Sequence, residues 1–223
     1  MLVLGVDTGT RWGSFGLDRN GPLAEAACGR LARGRDPLLP LLPALLDAAD
    51  AALDELRLVA VATGPGSFTS LRVGVSLAKG MALGLGLPLV GVPSLPLIAA
   101  RLAGWPGTVC ALVSDHPGRA YAALRPPQGA LGEPRALDVG ALAEVLRKAQ
   151  PPVALVGPGA EALAQRMDVK DVWPADAALN RPSGLAVARG GLAAFNQRGA
   201  DDLDALEPLY VAPPAVDPGA LKR

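Results

Sequence analysis

The amino-acid sequence predicts an α/β protein of two lobes, with mixed sheets flanked by helices and a second lobe that is smaller and degenerate. Three apolar runs separated by turn residues open the chain, and apolar runs then alternate with segments of helical spacing. The same order of elements restarts, in shorter form, after about residue 104. We therefore predict a first lobe at residues 1–103 and a second lobe at residues 104–223.

The first lobe is predicted to begin with a meander of three strands, at residues 2–6, 12–17 and 23–27. Leucine and alanine then recur at helical spacing from Leu38 to Leu56, and Pro37 suits the first position of that helix. The next predicted helix follows the turn Gly64-Pro65-Gly66, with Ser67, Thr69 or Ser70 as its N-cap. The remaining elements are two buried strands, at 58–62 and 89–92, and a helix at 94–102.

The second lobe is predicted to contain strands at 109–113, 120–124 and 153–156, and helices at 139–149, 160–167 and 183–197. The segment GEPRALD, residues 132–138, and the tail from residue 212 combine proline, glycine and charge, so we expect loop or disorder there. The two lobes match in the order of elements and not residue by residue, which makes the restart weak evidence for a sequence repeat.

The composition is that of an ordinary globular protein. Lys and Arg number 21, as do Asp and Glu, and this balance argues against direct nucleic-acid binding, which depends on clustered positive charge. Cys28 and Cys110 lie far apart, so we expect two buried thiols in a reducing compartment. The chain opens without a basic leader pattern, and prolines interrupt its weakly charged stretch at 73–100, so we expect a cytoplasmic protein with no membrane span.

Few side chains are available for catalysis. His116 is the single histidine, which excludes a metal site built from several histidines and makes His116 the required base of any Ser-His-Asp triad. Asp7 is the best single candidate, because it ends an apolar strand and enters the turn Thr8-Gly9-Thr10. The amides of that turn could hold a phosphate while Asp7 holds a magnesium-bound water. Alternatively, Asp7 and Thr8 make only the hydrogen bonds of the turn itself.

The loop GPGSFTSLR, residues 64–72, lies between a predicted strand and a predicted helix, where backbone N–H groups can hold an anion. It lacks the Gly-Lys-Ser/Thr of a P-loop, and Thr69 stands where a dinucleotide-binding loop has its third glycine. Two interpretations stay open. One is an anion bound near Ser67, Thr69 and Arg72, and the other is a tight turn followed by a helix N-cap.

The helix after this loop is apolar around most of its circumference, which indicates that a second surface covers it. Small residues recur at every fourth position and form a smooth line where another backbone could approach: Ser70, Gly74, Ala78 and Ala82. Gly74, Gly80 and Gly84 each cost about 1 kcal/mol relative to alanine, which additional burial must offset. From these residues alone, the covering surface could belong to another molecule or to this chain.

Two stretches carry a resemblance to known families. LGVDTGT, residues 4–10, resembles the first phosphate hairpin of the actin, hexokinase and Hsp70 superfamily. The run from Thr63 to Leu95, TGPGSFTSLRVGVSLAKGMALGLGLPLVGVPSL, more specifically resembles the TsaB family, also called YeaZ, in the glycoprotease-like branch of that superfamily. The leucine-rich helix after Asp36, Tyr121 and the segment EPLYVAPP support the resemblance, which spans nearly the whole chain.

The resemblance implies a two-lobed actin-like (ASKHA) fold that has lost most of its active site, with no catalytic or metal-binding residues of its own. Asp7, Thr8, Gly9 and Thr10 would then be a vestigial phosphate hairpin. The family pairs with its catalytic paralogue TsaD through a helix bundle, so the implied interface residues are Ser70, Leu71, Gly74, Val75, Ala78, Met81 and Ala82. Replacing Gly74 or Ala78 by arginine should then abolish pairing and leave the monomer folded.

The function that the resemblance implies is that of a non-catalytic scaffold. It would bind and activate TsaD, with TsaE, for threonylcarbamoyl transfer to adenosine 37 of tRNAs that read ANN codons. ATP and metal would belong to TsaD, tRNA would bind mainly elsewhere in the assembly, and a nucleotide at the shared interface and a homodimer without TsaD are left open. The alternative is an active ATPase or kinase, for which Val156-Gly157-Pro158-Gly159 is a poor second nucleotide loop, and a single histidine disfavours a metallopeptidase.

Overall fold

The structure is a computed structural model that describes residues 1–10, 12–29, 38–116 and 118–211. Each lobe is built on a five-stranded mixed sheet. The first sheet comprises β1 (Leu2–Asp7), β2 (Trp12–Arg19), β3 (Pro22–Gly29), β4 (Leu56–Gly64) and β5 (Leu89–Pro93). The second comprises β6 (Thr108–His116), β7 (Arg119–Arg125), β8 (Arg135–Asp138), β9 (Val153–Val156) and β10 (Val172–Pro174).

The strands are ordered β3-β2-β1-β4-β5 in the first sheet and β10-β9-β6-β7-β8 in the second. In the first sheet, β1 pairs antiparallel with β2 and parallel with β4, and in the second, β6 pairs antiparallel with β7 and parallel with β9. The predicted two-lobed α/β fold with mixed sheets is therefore confirmed. The second sheet has as many strands as the first, and its reduced size lies in the short strands β8, β9 and β10.

Six helices flank the sheets in the described part of the chain. They are α1 (Leu41–Ala48), α2 (Phe68–Leu85), α3 (Ser94–Ala100), α4 (Val139–Arg147), α5 (Ala160–Ala164) and α6 (Gly184–Arg198), with short 3-10 helices at Leu53–Glu55 and Ala177–Asn180. Among these described elements, none is both long enough and apolar enough to cross a membrane.

Three local predictions were wrong. Helix α1 ends at Ala48 and not near residue 56, because the chain turns at Asp50, whose φ is +46°. The segment expected to be a loop at 132–138 contains β8, which pairs antiparallel with β7 and ends at Asp138, the N-cap of α4. Strand β10 was not predicted. The predictions for Pro37 and for the tail from residue 212 lie outside the described residues.

Helix α6 corrects the predicted division of the chain at residues 103 and 104. This helix lies in the C-terminal half of the sequence but packs on the first sheet, where Val187 and Ala188 share a buried cluster with Val3, Leu58 and Val92. The chain therefore crosses to the second lobe after α3 and returns before α6. The return was not apparent from the sequence, because the apolar face of α6 is built largely from alanine and glycine.

The first sheet and the start of α6 are in direct backbone contact. A Cβ atom added at Gly5 would lie 2.0 Å from the carbonyl oxygen of Gly184, and one added at Gly16 would lie 2.0 Å from the backbone nitrogen of Leu185. Such distances are far below van der Waals contact, so β1 and β2 need glycine where α6 crosses them.

The edge of the first sheet at β5 is closed by side chains. Asp201 Oδ2 accepts a hydrogen bond from the backbone N–H of Gly91 at 2.7 Å, and Arg198 Nη2 donates to the Gly91 carbonyl oxygen at 3.0 Å. Asp201 and Arg198 also form an ion pair with each other. The residues that follow α6 thus occupy the polar groups of an edge strand that could otherwise pair with another chain.

Gly16→Ala should destabilise the protein by about 1–3 kcal/mol, because the new methyl group forces α6 away from β2. Gly104→Ala is the matched control, since no atom of the described residues lies within 4 Å of its Cβ position. Urea denaturation followed by circular dichroism measures both free energies of unfolding. Equal values for the two variants would contradict the close packing of α6 on the sheet.

Candidate functional site

The β1–β2 hairpin uses Asp7 for internal hydrogen bonds. Asp7 Oδ1 accepts from the backbone N–H of Gly9 at 2.9 Å, and Oδ2 accepts from the backbone N–H of Ser183 at 3.3 Å. Burial raises the pKa of Asp7, although both hydrogen bonds and the charge of Arg101 act in the opposite direction. The carboxylate therefore joins the turn to the N-cap of α6, and only its hydrogen bond with Gly9 lies within the turn itself.

The rest of the hairpin packs against the start of α2. Thr8 is fully buried, and its Oγ1 donates to the carbonyl oxygen of Ser70 at 2.7 Å. The backbone N–H of Ser67 donates to the Gly9 carbonyl oxygen at 2.8 Å, and a Cβ at Gly66 would lie only 2.1 Å from that oxygen. Thr10, also buried, accepts from the backbone N–H of Trp12. The glycine loop before α2 thus packs directly against the backbone of the hairpin.

The predicted anion-contact residues lie at the start of α2. Ser67 is the N-cap residue of α2, without a hydrogen bond from its side chain, and Thr69 is exposed. Arg72 Nε donates to the hydroxyl of Tyr210 at 3.0 Å, and its guanidinium lies 3.9 Å from the centre of the Phe68 ring. Arg72 is therefore engaged with the C-terminal segment, and anion binding at this loop stays a prediction.

The predicted interface on α2 requires a correction, because most of it faces this chain's own sheet. Gly74 is buried, and a Cβ atom there would lie 2.0 Å from Thr8 Oγ1. Ala78 is 0% exposed, so arginine at position 74 or 78 would disrupt the monomer and could not leave it folded as expected. The other predicted interface residues are buried or partly buried in the same lobe: Ser70, Leu71, Val75, Met81 and Ala82.

The opposite side of α2 is exposed, and we call it the outer face, defined by Val73, Ser76, Gly80, Leu83 and Gly84. Val73 is 41% exposed and Leu83 is 75% exposed, so two large aliphatic side chains of this face reach solvent. Apart from adjacent residues and the backbone of α2 itself, no atom of the described residues lies within 4 Å of a Cβ position at Gly80 or Gly84. The outer face therefore combines exposed apolar side chains with two glycines that leave a groove between them.

Metal-ligating and thiol groups are sparse. In the described ranges, no three His, Cys, Asp or Glu side chains are arranged so that they could hold a metal ion. Cys28 and Cys110 form no disulfide with each other, and the Cys28 thiol donates to the carbonyl oxygen of Gly13. Burial raises the pKa of Cys110 to about 12, which keeps it protonated and unreactive. His116 ends β6, and its side chain is outside the described part of the structure.

The sequence of this chain matches one family model and several curated proteins. A family model for the tRNA N6-adenosine threonylcarbamoyltransferase TsaD matches residues 35–132. The tRNA threonylcarbamoyladenosine biosynthesis protein TsaB of Escherichia coli K12 is 35% identical over 101 residues, which are 44% of this chain and 43% of that protein. TsaB of Bacillus subtilis 168 is 32% identical over 123 residues, covering 53% of this chain and 54% of that protein. The chain thus spans about half the length of the curated relatives it matches.

The structural similarity covers more of the chain than the sequence similarity does. A solved structure of YeaZ from Pseudomonas aeruginosa superposes with a TM-score of 0.74 at 23% identity and covers 94% of this chain and 99% of that one. The two sheets and the β1–β2 hairpin define the chain as a two-lobed, actin-like α/β protein. In its sequence matches and in its fold, the chain is similar to the TsaB/YeaZ proteins.

Gly74→Ala should destabilise the monomer by about 1–3 kcal/mol, because the methyl group meets Thr8, even though alanine is the better helix former. Thr8→Ala removes the nearest atom, so the double variant should lose less stability than the sum of the two single losses. A double-mutant cycle measured by urea denaturation tests this coupling. Strictly additive losses would contradict the contact between the hairpin and α2.

Asp7→Asn should change how stability depends on pH. Because the folded-state pKa of Asp7 lies above its unfolded value, the folded wild-type chain binds this proton more tightly and loses stability as pH rises through the unfolded pKa. Asparagine cannot ionise, so the stability of the variant relative to wild type should increase as pH rises above about 4, the pKa of an unfolded aspartate, and should level off above the raised folded-state pKa. Denaturation at a series of pH values measures the difference, and a difference that stays constant would contradict the burial of the charge.

Proposed function

We propose that this chain is a non-catalytic partner subunit that binds and activates TsaD, with TsaE, in threonylcarbamoyl transfer to adenosine in tRNA. The names of the curated relatives support a role in making threonylcarbamoyladenosine. We assign the outer face of α2 as the surface that binds TsaD. It replaces the interface around Gly74 and Ala78 that was predicted from the sequence.

The observation that carries the proposal is the pair of exposed glycines inside α2. Gly80 and Gly84 each cost the helix about 1 kcal/mol relative to alanine. The monomer itself requires glycine at position 74, because Thr8 occupies the space that a side chain would need. No atom of the described residues lies near Gly80 or Gly84, so the monomer provides no comparable reason for them. Close approach of a partner backbone would use the space that the missing side chains leave.

The side chains around the glycines fit a helical partner. Val73 and Leu83 stand on either side of Gly80 along the helix, and both are exposed. Ser76 lies one turn before Gly80 on the same face and leaves the groove shallow. An apolar helix crossing at Gly80 would bury these ridges, and burial of apolar area stabilises association by about 25 cal/mol per Å2.

The hairpin supports the non-catalytic part of the proposal. In an enzyme of this architecture, Asp7 and the turn amides would have to be available to a nucleotide and its metal. In this chain Asp7 accepts from Gly9 and Ser183, and Thr8 fills the contact with α2. ATP and metal are therefore assigned to TsaD, with a nucleotide at the shared interface as a further proposal.

The proposed assembly works in the cytoplasm and contacts tRNA mainly through its other subunits, in keeping with the balanced charge of this chain. In the absence of TsaD, the same outer face could pair with a second copy of the chain. A homodimer and the TsaD complex would then exclude each other, since both would use the groove at Gly80.

Gly80→Arg should weaken binding of TsaD from the same organism by about tenfold or more, because a long charged side chain fills the groove. Gly80→Ala should stabilise the isolated monomer by about 1 kcal/mol, because alanine is the better helix former. Gly104→Arg is the matched control and should leave binding unchanged. Calorimetric titration measures the affinities, and thermal denaturation confirms that each variant is folded.

Unchanged TsaD binding by Gly80→Arg would exclude the outer face as the docking surface. Titration of the isolated chain with ATP and magnesium tests the alternative of an active ATPase. Hydrolysis by the isolated chain that is lost in Asp7→Asn would contradict the non-catalytic assignment.

A further inference from the structure

A groove of about 480 Å3 lies between the two lobes, on the β3 side of the hairpin, and combines a largely apolar lining with several charged side chains. Its walls come from the start of β2, from β3 and from Arg101 just after α3. The remaining wall is formed by residues 178–189, which lead into α6 and include its first turns. The charged, polar and aromatic residues that line it are Trp12, Glu25, Arg101, Arg181, Ser183 and Arg189. Three guanidinium groups thus share the groove with one carboxylate.

Arg101 is held in place by carbonyl groups. Its Nη1 donates to the carbonyl oxygens of Leu179 and Arg181, which fixes the guanidinium against the return segment. Burial lowers the pKa of Arg101, and the attraction of Asp7 and Glu25 does not cancel this effect. Within the described residues, Arg101 has no carboxylate oxygen within 4.0 Å. The charge of Arg101 is therefore incompletely compensated.

The carboxylate in the groove is committed to other partners. Glu25 Oε1 accepts from Ser183 Oγ at 2.7 Å and from the backbone N–H of Leu185 at 3.0 Å, so its charge lies at the N-terminus of α6. Arg189 approaches Asp18, with 4.0 Å between Nε and Oδ2, and its side chain is mostly exposed. These contacts leave Arg101 and Arg181 as the cations without a direct carboxylate partner.

Arg181 lies beside an aromatic wall. Its guanidinium carbon is 5.5 Å from the ring centre of Trp12, within the range of a cation–π contact. Among the described residues, no carboxylate pairs with Arg181. Leu179 and Leu185 also line the groove, so a planar or apolar group could pack there next to the charges.

We propose that this groove binds a small molecule that carries a phosphate or carboxylate group next to a planar or apolar portion. Arg101 and Arg181 donate to the anionic group, since guanidinium groups bind planar and tetrahedral oxyanions well. Trp12 and Leu179 pack against the remainder of the ligand. The groove lies within the size range of small-molecule pockets, about 300–1,000 Å3. This ligand site goes beyond the proposed pairing with TsaD, which uses a different surface.

Calorimetric titration of the purified full chain with phenyl phosphate, inorganic phosphate, benzoate and benzyl alcohol tests the proposal. Phenyl phosphate should bind more tightly than inorganic phosphate, because its ring packs on Trp12, and benzyl alcohol should not bind. A comparison of phenyl phosphate with benzoate distinguishes a phosphate-bearing ligand from a carboxylate-bearing one. Arg181→Gln should weaken phenyl phosphate binding by about tenfold or more, since it removes a charge-assisted hydrogen bond.

Arg135→Gln, on the exposed strand β8, is the matched control and should leave the affinity unchanged. Arg181 is exposed, so its replacement should keep the chain folded even if Arg101→Gln does not. Absence of phenyl phosphate and benzoate binding at millimolar concentrations, or equal binding by wild type and Arg181→Gln, would overturn the proposal. The titration uses the chain alone, so its failure would leave the pairing with TsaD untouched.

Discussion

The contact between the β1–β2 hairpin and helix α2 constrains the rest of the first lobe. Thr8 is fully buried and occupies the space that a side chain at position 74 would need. Its hydroxyl also donates to Ser70, which fixes the rotation of α2 about its own axis. Because helical side chains follow a fixed angular spacing, this rotation places Ala78 against the sheet and turns Gly80 and Leu83 outward. The face that α2 exposes to solvent is therefore set by a contact inside the monomer.

The same hairpin connects the first lobe to the returning chain. Asp7 accepts from Ser183, the N-cap of α6, and α6 then crosses β1 and β2 where Gly5 and Gly16 leave no room for side chains. A hairpin that in a nucleotide-binding protein would hold phosphate is occupied here by the protein's own backbone groups. This internal use of the hairpin is consistent with a subunit that contributes a surface to an assembly while a partner supplies the reaction.

Local signals in the sequence predicted the opening meander and the limits of α2 and α6 closely, because turn residues and apolar periodicity act over short distances. Strand β8 was missed because only two of its four residues are apolar and a proline precedes it, and it pairs with the edge that β7 offers. The sequence left open whether the apolar circumference of α2 is covered by this chain or by another molecule. That choice depends on Thr8, 62 residues from its partner Ser70. Tertiary packing therefore decided which half of a correctly predicted helix is exposed.

Methyl NMR with a water-soluble paramagnetic agent tests the central claim most directly, because it reports which leucine side chains of α2 reach solvent. In the free chain, the Leu83 signals should broaden strongly and the Leu71 signals should not, since Leu83 is 75% exposed and Leu71 is 1% exposed. Addition of saturating TsaD should protect Leu83 and leave Leu71 unchanged. Broadening of Leu83 that persists in a complex shown to have formed would mean that TsaD binds elsewhere and would contradict the account.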